Sequence, residues 1–219
     1  MKYPGGKGAS GTYQHIINQI PPHEVYIETH LGGGAILRHK RRAAINIGID
    51  VDPLVIREWQ GLKDVNIVHG DAYDFLVTNT FTGDEFIYID PPYLKSTRKT
   101  RRDIYHFEYS ESDHIKLLTL INNLPCNIMI SGYWSDLYDQ YLSTWRTYSY
   151  QVRDQSGSFV TEWLWMNYDE PTKLHDYQYL GQDFREREKI RRKLSRWKER
   201  IEQLPELERQ AFFSVFNKQ

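Results

Sequence analysis

The chain has 219 residues, of which 40% are hydrophobic and 26% are charged, and this composition predicts one globular domain with an appendage rather than two full domains. A formal net charge of −1 and a single cysteine exclude a uniformly basic protein, a disulfide framework and a zinc site built on cysteines. The glycine-rich start lacks an apolar signal segment and no apolar run is long enough to span a membrane, so we expect a cytoplasmic protein without a membrane or metal partner.

Strand-like and helix-like segments alternate along most of the chain. They are predicted as helix 11–20, strand 25–28, helix 35–42, strand 44–49, a helix opened by Pro53, strand 66–68, a helix from residue 72, strand 86–89, helix 112–123, strand 127–130, and strands 145–152 and 159–167. The last two strands alternate polar and apolar residues, as an antiparallel pair does. This order predicts an α/β fold with a mostly parallel sheet, helices on both faces and a terminal antiparallel pair.

The composition changes after Pro171. Residues 182–203 predict a charged helix with an apolar stripe on one side and basic residues on the others, and Pro205 separates it from a last helix over 206–216. We therefore predict an α/β domain over residues 1–170 and a C-terminal helical extension over 171–219. The basic helix is as typical of a solvated or partner-packed face as of a DNA-binding one.

Glycine and acidic residues follow the predicted strands. Gly32 to Gly34 lie between the first strand and a helix, where a ligand can approach the backbone closely, although a tight turn looks the same. Asp50, at the next strand end, is placed to accept hydrogen bonds from both hydroxyls of a ribose, and Asp52 competes with it as helix cap or ligand. Asp71, at the third strand end, is either an acceptor for an adenine amine or a helix N-cap. Ligands bind at such strand ends in parallel sheets.

The segment Asp90-Pro91-Pro92-Tyr93 directly follows an apolar strand. Two prolines make a stiff turn without amide donors, which leaves the Asp90 carboxylate and the Pro91 carbonyl as acceptors for the two hydrogens of one amine. Tyr93 offers a flat face on which a planar ring could stack. An aromatic amine is a poor nucleophile because its lone pair is conjugated with the ring. Two acceptors would favour the tetrahedral form of the nitrogen, which can attack a methyl sulfonium.

Four stretches of the chain resemble the motifs of the Dam-like family of DNA adenine methylases. They are Lys2-Tyr3-Pro4-Gly5-Gly6-Lys7, the glycine motif over 26–34 with Thr29-His30-Leu31 where Pro-Phe-x is usual, Asp50, and Asp90-Pro91-Pro92-Tyr93. A weaker match continues through Ser131-Gly132 and residues 162–167, so the resemblance covers roughly residues 2–168. The combination of motifs is specific to the family, although each motif alone is not.

The resemblance implies a Rossmann-like S-adenosylmethionine-dependent methyltransferase fold and methyl transfer to the exocyclic amine of adenine in duplex DNA, with base flipping. It places Tyr3, Lys7, Glu28, Gly32, Gly34, Asp50 and Asp71 around the cofactor, and Asp90, Pro91, Pro92 and Tyr93 at the catalytic step. It also implies that Lys7 reaches a carboxylate or the cofactor, because the Gly-Gly-Lys-Gly run lacks the spacing of a phosphate-binding loop. Cys126 precedes a buried strand, and we interpret it as a core residue rather than a nucleophile.

Relatives usually carry a large target-recognition domain between the glycine and catalytic motifs, whereas only about fifty residues separate them here. We therefore expect DNA contacts from a basic loop within residues 94–110, just after the catalytic turn, where a flipped base would leave the duplex. Its basic residues are Lys95, Arg98, Lys99, Arg101 and Arg102, and Tyr105, His106 and Phe107 follow them. A solvated, mobile loop is the alternative interpretation.

Two other functions fit the same sequence features. Enzymes that methylate an RNA adenine or a protein glutamine use similar x-Pro-Pro-Tyr turns on the same fold, so the fold alone does not choose the substrate. A non-catalytic DNA-binding module on this scaffold is the third interpretation. A role in restriction–modification, in regulation or in a phage is equally compatible with these motifs.

Overall fold

The computed structural model describes residues 5–8, 11–100, 102–153 and 157–216. It divides into two compact units, Met1–Tyr177 and Gln178–Gln219. The division lies seven residues beyond the end predicted for the α/β domain at residue 170, because segment 171–177 is bonded to the first unit. The backbone amide of His175 donates to the Ile20 carbonyl at 2.9 Å, and the Asp176 carboxylate accepts from the Arg41 amide at 2.8 Å.

The first unit is built on a seven-stranded sheet with the order β3-β2-β1-β4-β5-β7-β6. Its strands are β1 (Val25–Glu28), β2 (Ile45–Asp50), β3 (Asn66–His69), β4 (Glu85–Ile89), β5 (Asn127–Gly132), β6 (Arg146–Arg153) and β7 (Phe159–Met166). Strands β1 to β5 pair in parallel, whereas β7 is antiparallel to both neighbours. The predicted α/β, Rossmann-like fold with a mostly parallel sheet, a terminal antiparallel pair and C-terminal helices is thereby confirmed.

The strand order reverses between β1 and β4, which are hydrogen-bonded neighbours although two strands and three helices separate them in sequence. The helices are α1 (Thr12–Ile17), α2 (Ala35–His39), α3 (Pro53–Trp59), α4 (Ala72–Thr78), α5 (Glu111–Ile121), α6 (Asp136–Tyr141), α7 (Phe184–Glu202) and α8 (Glu206–Phe216). The predicted elements omit α6, because six residues are too few to show a helical period. In open α/β sheets, the crevice at such a reversal is where ligands bind.

Apolar side chains of the sheet and of α5 form the core. Strand β4 is buried at all five positions, as a central parallel strand covered on both faces should be. Leu117, Leu118 and Ile121 of α5 are fully buried against the sheet. Cys126 is 3% exposed within this cluster, so its interpretation as a core residue is confirmed, and burial raises the pKa of its thiol to about 12. None of the described helices has the length and apolarity needed to cross a membrane.

Glu28, the last residue of β1, is a buried acid at the edge of this core. It is 3% exposed, and its Oε2 accepts hydrogen bonds from the Tyr26 hydroxyl at 2.9 Å and from the Leu37 amide at 3.0 Å. Burial raises the pKa of Glu28 to about 8, because the two hydrogen bonds offset only part of the cost of burying the charge. The folded state therefore favours the protonated form of this carboxyl group.

We predict that Glu28→Gln removes a loss of stability that the wild-type protein suffers as the pH rises. A carboxyl group with a pKa of 4.5 when unfolded and about 8 when folded stabilises the folded state fully below the lower value. That contribution decreases between the two values and is absent above about 8, for a change of roughly 3 to 5 kcal/mol. Glutamine keeps an acceptor oxygen for Tyr26 and Leu37 without ionising.

Urea unfolding near pH 5 and near pH 8 tests this. The free energy of unfolding of Glu28→Gln, relative to that of wild type, should be larger at the higher pH. Glu24→Gln, a substitution of an exposed glutamate, should follow the wild-type protein at both pH values. A difference between Glu28→Gln and wild type that is the same at both pH values would contradict the assignment.

Candidate active site

The glycine loop between β1 and α2 is held by contacts from two neighbouring elements. The Gly32 amide donates to Asp50 Oδ2 at 2.8 Å, and the Trp59 indole Nε1 donates to the Gly32 carbonyl at 3.0 Å. Gly34 has a φ of +56°, and a Cβ atom there would lie 2.0 Å from a ring carbon of Trp59. Only glycine fits this position, because both the backbone conformation and the tryptophan ring exclude a side chain.

The aspartates that follow the ends of β2 and β3 or lie at them accept different backbone hydrogen bonds. Asp50 accepts a second amide, that of Asp52, at 2.9 Å through Oδ1, and burial raises its pKa. Asp52 is the N-cap of α3 and accepts from the Leu54 amide at 2.8 Å, which identifies it as the helix cap. Asp71 is the N-cap of α4, where its Oδ1 accepts from the Asp74 amide at 3.1 Å. All three aspartates nevertheless line the same cleft.

The Asp90 carboxylate, directly after β4, is oriented through one of its oxygens. Oδ1 accepts from Lys7 Nζ at 2.8 Å and from Ser131 Oγ at 2.7 Å, and the Tyr88 hydroxyl lies 3.1 Å from Ser131 Oγ. Neither Asp90 Oδ2 nor the Pro91 carbonyl has a hydrogen-bond donor among the described residues. The turn therefore presents two acceptors, one of them on a carboxylate whose orientation is fixed.

Lys7 connects the N-terminal glycine motif to this turn. Its Nζ also donates to the Tyr93 hydroxyl at 2.6 Å and lies 3.8 Å from Glu162 Oε2. Burial lowers the pKa of Lys7, but the carboxylates of Asp90 and Glu162 raise it further, and the net pKa lies well above the usual value. Lys7 thus reaches a carboxylate and stays protonated over the whole physiological range.

Tyr93 lies behind the turn rather than in the cleft. It is 9% exposed, its hydroxyl is bonded to Lys7, it makes a T-shaped contact with the Tyr133 ring, and Lys7 Nζ lies over its ring at 4.7 Å from the centroid. Its face is therefore covered in this structure. The other residues of the motif, Asp90, Pro91 and Pro92, line the cleft.

One cleft brings the glycine loop, the acids and the turn after β4 together. Its walls are formed by residues 5–7, 28–35, 50–52, 71–72, 90–92 and the aromatic residues Tyr105, Phe107 and Tyr109. Of the residues placed around the cofactor by resemblance, Lys7, Glu28, Gly32, Gly34, Asp50 and Asp71 line it. Tyr3 lies outside the described residues.

The basic loop after the turn is organised by an internal ion pair. The Arg98 guanidinium donates to both oxygens of Glu108, at 2.8 and 2.7 Å, and its Nε donates to the Tyr93 carbonyl. Burial raises the pKa of Glu108, but hydrogen bonds from Arg98 and from the Ile104 and Tyr105 amides outweigh it and lower the pKa to about 2. The Arg98 side chain is only 5% exposed, which leaves it no surface for a phosphate.

The other basic residues that we predicted to contact phosphates differ in exposure and in ion pairing. Lys95 forms an ion pair with Asp103. Lys99 and Arg102 are exposed, and Arg101 lies outside the described residues. The loop therefore offers fewer accessible cations than its sequence contains.

Sequence reasoning missed several residues that complete the site. Ser131 and Glu162 support Lys7 and Asp90, yet they were noted only as parts of a weak match. Ser131 lies at the end of β5, next to β4, and its position at a strand end was the available signal. Tyr105 and Phe107 wall the cleft because the Arg98–Glu108 pair folds the loop over it, and no local pattern marks that long-range closure.

Comparison with known proteins gives distant structural likenesses. The chain is similar to TrmK of M. capricolum in complex with S-adenosyl-homocysteine (12% identity, 96% of each chain covered, TM-score 0.48). It is also similar to an rRNA methylase from Streptococcus thermophilus (11% identity, 70% of this chain and 92% of that chain, TM-score 0.47). A precorrin 8W decarboxylase from Methanobacterium thermoautotrophicum has 14% identity, covers 75% of this chain and 91% of its own, and has a TM-score of 0.45. No curated protein sequence matches the chain.

A family model matches the middle of the chain. Residues 52–155 match the family described as D12 class N6 adenine-specific DNA methyltransferase. The matched segment runs from the cap of α3 through the catalytic turn and the basic loop to the end of β6. Over residues 52–155 the chain is therefore similar to this family, and the matched segment includes Asp90-Pro91-Pro92-Tyr93.

Proposed function

We propose that this protein is an S-adenosylmethionine-dependent DNA (adenine-N6)-methyltransferase that acts on a base flipped out of duplex DNA. One observation carries the proposal: Asp90 Oδ2 and the Pro91 carbonyl, both without a described donor, belong to the turn that shares a cleft with the glycine loop. The family match supports adenine in DNA as the target.

The side chains of the cleft fit a cationic cofactor. Carboxylates of Asp50, Asp52, Asp71 and Asp90 and the buried carboxyl group of Glu28 line it, against the ammonium group of Lys7. S-adenosylmethionine carries a sulfonium and an ammonium group against one carboxylate, and when bound it supplies a methyl group on positively charged sulfur. The glycine loop and Asp50 would hold it, since each carboxylate oxygen can accept a further hydrogen bond. Glu28 and Asp71 complete the proposed binding set, whereas Lys7 is bonded to Asp90.

The residues of the turn would prepare the nucleophile. Asp90 Oδ2 and the Pro91 carbonyl would each accept one hydrogen of the target amine, which draws its nitrogen out of conjugation and frees the lone pair. Asp90 is also placed to accept the proton that the nitrogen loses when it is methylated. Pro92 contributes stiffness, because the two prolines fix the backbone between the carboxylate and the carbonyl.

Lys7 and Ser131 are positioning residues in this proposal. Both donate to Asp90 Oδ1, at 2.8 and 2.7 Å, and so fix the direction in which Oδ2 points. Tyr93 holds Lys7 from the other side. In this structure Tyr93 therefore supports the proposed acceptor pair through Lys7, and stacking on the base would require its covered face to open.

We predict that Asp90→Asn lowers kcat for methyl transfer to DNA by about 100-fold or more, because the amide cannot accept the proton and can donate where an acceptor is needed. The measurement is transfer of a labelled methyl group from S-adenosylmethionine to duplex DNA, RNA and a protein mixture, followed by identification of the methylated base. Asp103→Asn is the matched control, since this exposed aspartate of the basic loop has Lys95 as its ion-pair partner among the described residues.

The outcomes separate the candidate functions. Labelling of N6 of adenine in duplex DNA by wild type and Asp103→Asn, but not by Asp90→Asn, supports the proposal. Labelling of RNA alone, or of protein alone, would show that RNA or protein rather than DNA is the substrate. Binding of DNA without any binding of S-adenosylmethionine would identify a non-catalytic module, and equal activity of Asp90→Asn would refute the role of Asp90.

We also predict that Lys7→Met lowers kcat by about 100-fold, since a misdirected acceptor misplaces the amine by a fraction of an ångström to an ångström. The KM for S-adenosylmethionine should change much less, because Asp50 and the glycine loop remain intact. Steady-state kinetics with each substrate varied in turn measures both constants. Lys63→Met, which removes an exposed lysine, serves as control. A large rise in the cofactor KM with unchanged kcat would assign Lys7 to cofactor binding instead.

A further inference from the structure

The formal charge of the chain is distributed unevenly between the two units. Residues 1–177 contain 17 Lys and Arg against 22 Asp and Glu, a net charge of −5, whereas residues 178–219 contain 11 against 7, a net charge of +4. Helix α7 alone contains nine basic and four acidic residues. A unit with net negative charge does not attract a polyanion, so the attraction must come from local groups of cations.

Six of the basic residues of α7 share one side of the helix. At 100° per residue they occupy one sector that contains no acidic and no apolar residue. We call this sector the cationic face; it consists of Arg185, Lys189, Arg192, Lys193, Arg196 and Arg200. All six residues are exposed. The face is about 22 Å long at 1.5 Å per residue.

The cationic face is not neutralised by the chain. Arg192 has one carboxylate neighbour, Glu188 at 3.9 Å, and the other five form no salt bridge with a described residue. Like charges four residues apart, such as Lys189 and Lys193, repel each other along the face. The basic residues on another side of α7 are different, because Arg191 pairs with Glu188 at 2.8 Å and Lys198 with Glu202 at 3.7 Å.

Among the described residues, the loop after the turn offers fewer accessible cations than this face, namely Lys99 and Arg102. Arg98 is buried in its pair with Glu108, and Lys95 is paired with Asp103. A protein that acts on duplex DNA needs cations that hold the phosphates of the duplex. The accessible cations of α7 outnumber those of the loop.

We propose that the cationic face of α7 is a phosphate-binding surface that holds duplex DNA without reading its sequence. The proposal rests on the proposed function, which makes DNA the substrate. One strand of B-DNA carries a phosphate about every 3.4 Å along the axis, so a length of about 22 Å of duplex contains about six phosphates on each strand, of which those on the side towards the protein are within reach of the face. An anionic membrane would use the apolar stripe as well, in which Ile190 and Ile201 are half-buried but Phe184, Leu194 and Trp197 are exposed, so anionic vesicles are included in the test.

Two double variants of the full-length chain test the proposal at equal net charge. Lys189→Gln with Arg196→Gln removes two cations from the cationic face. Arg191→Gln with Lys198→Gln removes one arginine and one lysine from the same helix, but outside the face and next to carboxylates. Circular dichroism confirms that both variants remain helical. Fluorescence anisotropy with a labelled DNA duplex of about 30 base pairs gives the affinity at several salt concentrations, independently of methyl transfer.

We expect the double variant Lys189→Gln with Arg196→Gln to reduce the magnitude of the negative slope of log affinity against log salt concentration by about 1.8. Each of the two lost phosphate contacts contributes about 0.9 to that magnitude. At about 0.1 M salt, the affinity should fall by 10- to 100-fold, whereas the control pair should lose less than about threefold. Equal losses in both pairs would show an effect of net charge alone and would overturn the proposal. No loss in either pair would overturn it as well.

The same variants identify the partner. Single-stranded RNA and vesicles containing phosphatidylserine replace the duplex in parallel measurements, and a slope difference with either of them but not with duplex DNA overturns the proposal. If the protein transfers no methyl group to DNA but shows the slope difference, the proposed function fails and the surface stands. If the protein methylates DNA and the two double variants bind duplex DNA equally, the proposed phosphate-binding surface is refuted and the proposed function is retained.

Discussion

The arrangement of the candidate site depends on one buried contact, the ion pair of Lys7 and Asp90. The lysine is 5% exposed, lies 2.8 Å from the carboxylate, and joins two segments that are 83 residues apart in sequence. A buried cation without an anion would be costly, and so would a buried carboxylate without donors. The pair therefore fixes the N-terminal glycine motif against the end of β4 and directs the remaining oxygen of Asp90.

Much of the fold could be predicted because its elements have strong local signals. The strand ends before the glycine loop and before the Asp90 turn were placed correctly, since each buried strand is bounded by glycine, proline or aspartate. Alternation of strand and helix then requires a parallel sheet, and in such a sheet the ends of β1 and β4 meet at one edge. The position of the candidate site followed from topology rather than from any single motif.

The interior of the site was less predictable, because its contacts join residues that are distant in sequence. Nothing local to Tyr93 reveals that its ring turns away from the cleft and that its hydroxyl meets Lys7. The five basic residues of the loop look equivalent in sequence, yet Glu108 withdraws Arg98 from the surface. The sequence allows two interpretations each for Asp52 and Asp71, because a helix N-cap and a ligand-binding acid occupy the same position at the end of a strand.

The span of the Lys7 cluster also bears on biosynthesis. Lys7 comes near the start of the first unit, Asp90 near its middle and Glu162 on β7, so the charge balance around the lysine needs the product of 155 further codons. During translation, the glycine motif is synthesised well before the segments that it contacts. The chain therefore loses the loop-closure entropy of bringing these distant segments together only after β4, and then β7, has been synthesised. A nascent chain arrested before β7 would contain Lys7 and Asp90 but not Glu162. The charge cluster around Lys7 would therefore be complete only when the last strand of the sheet has been synthesised.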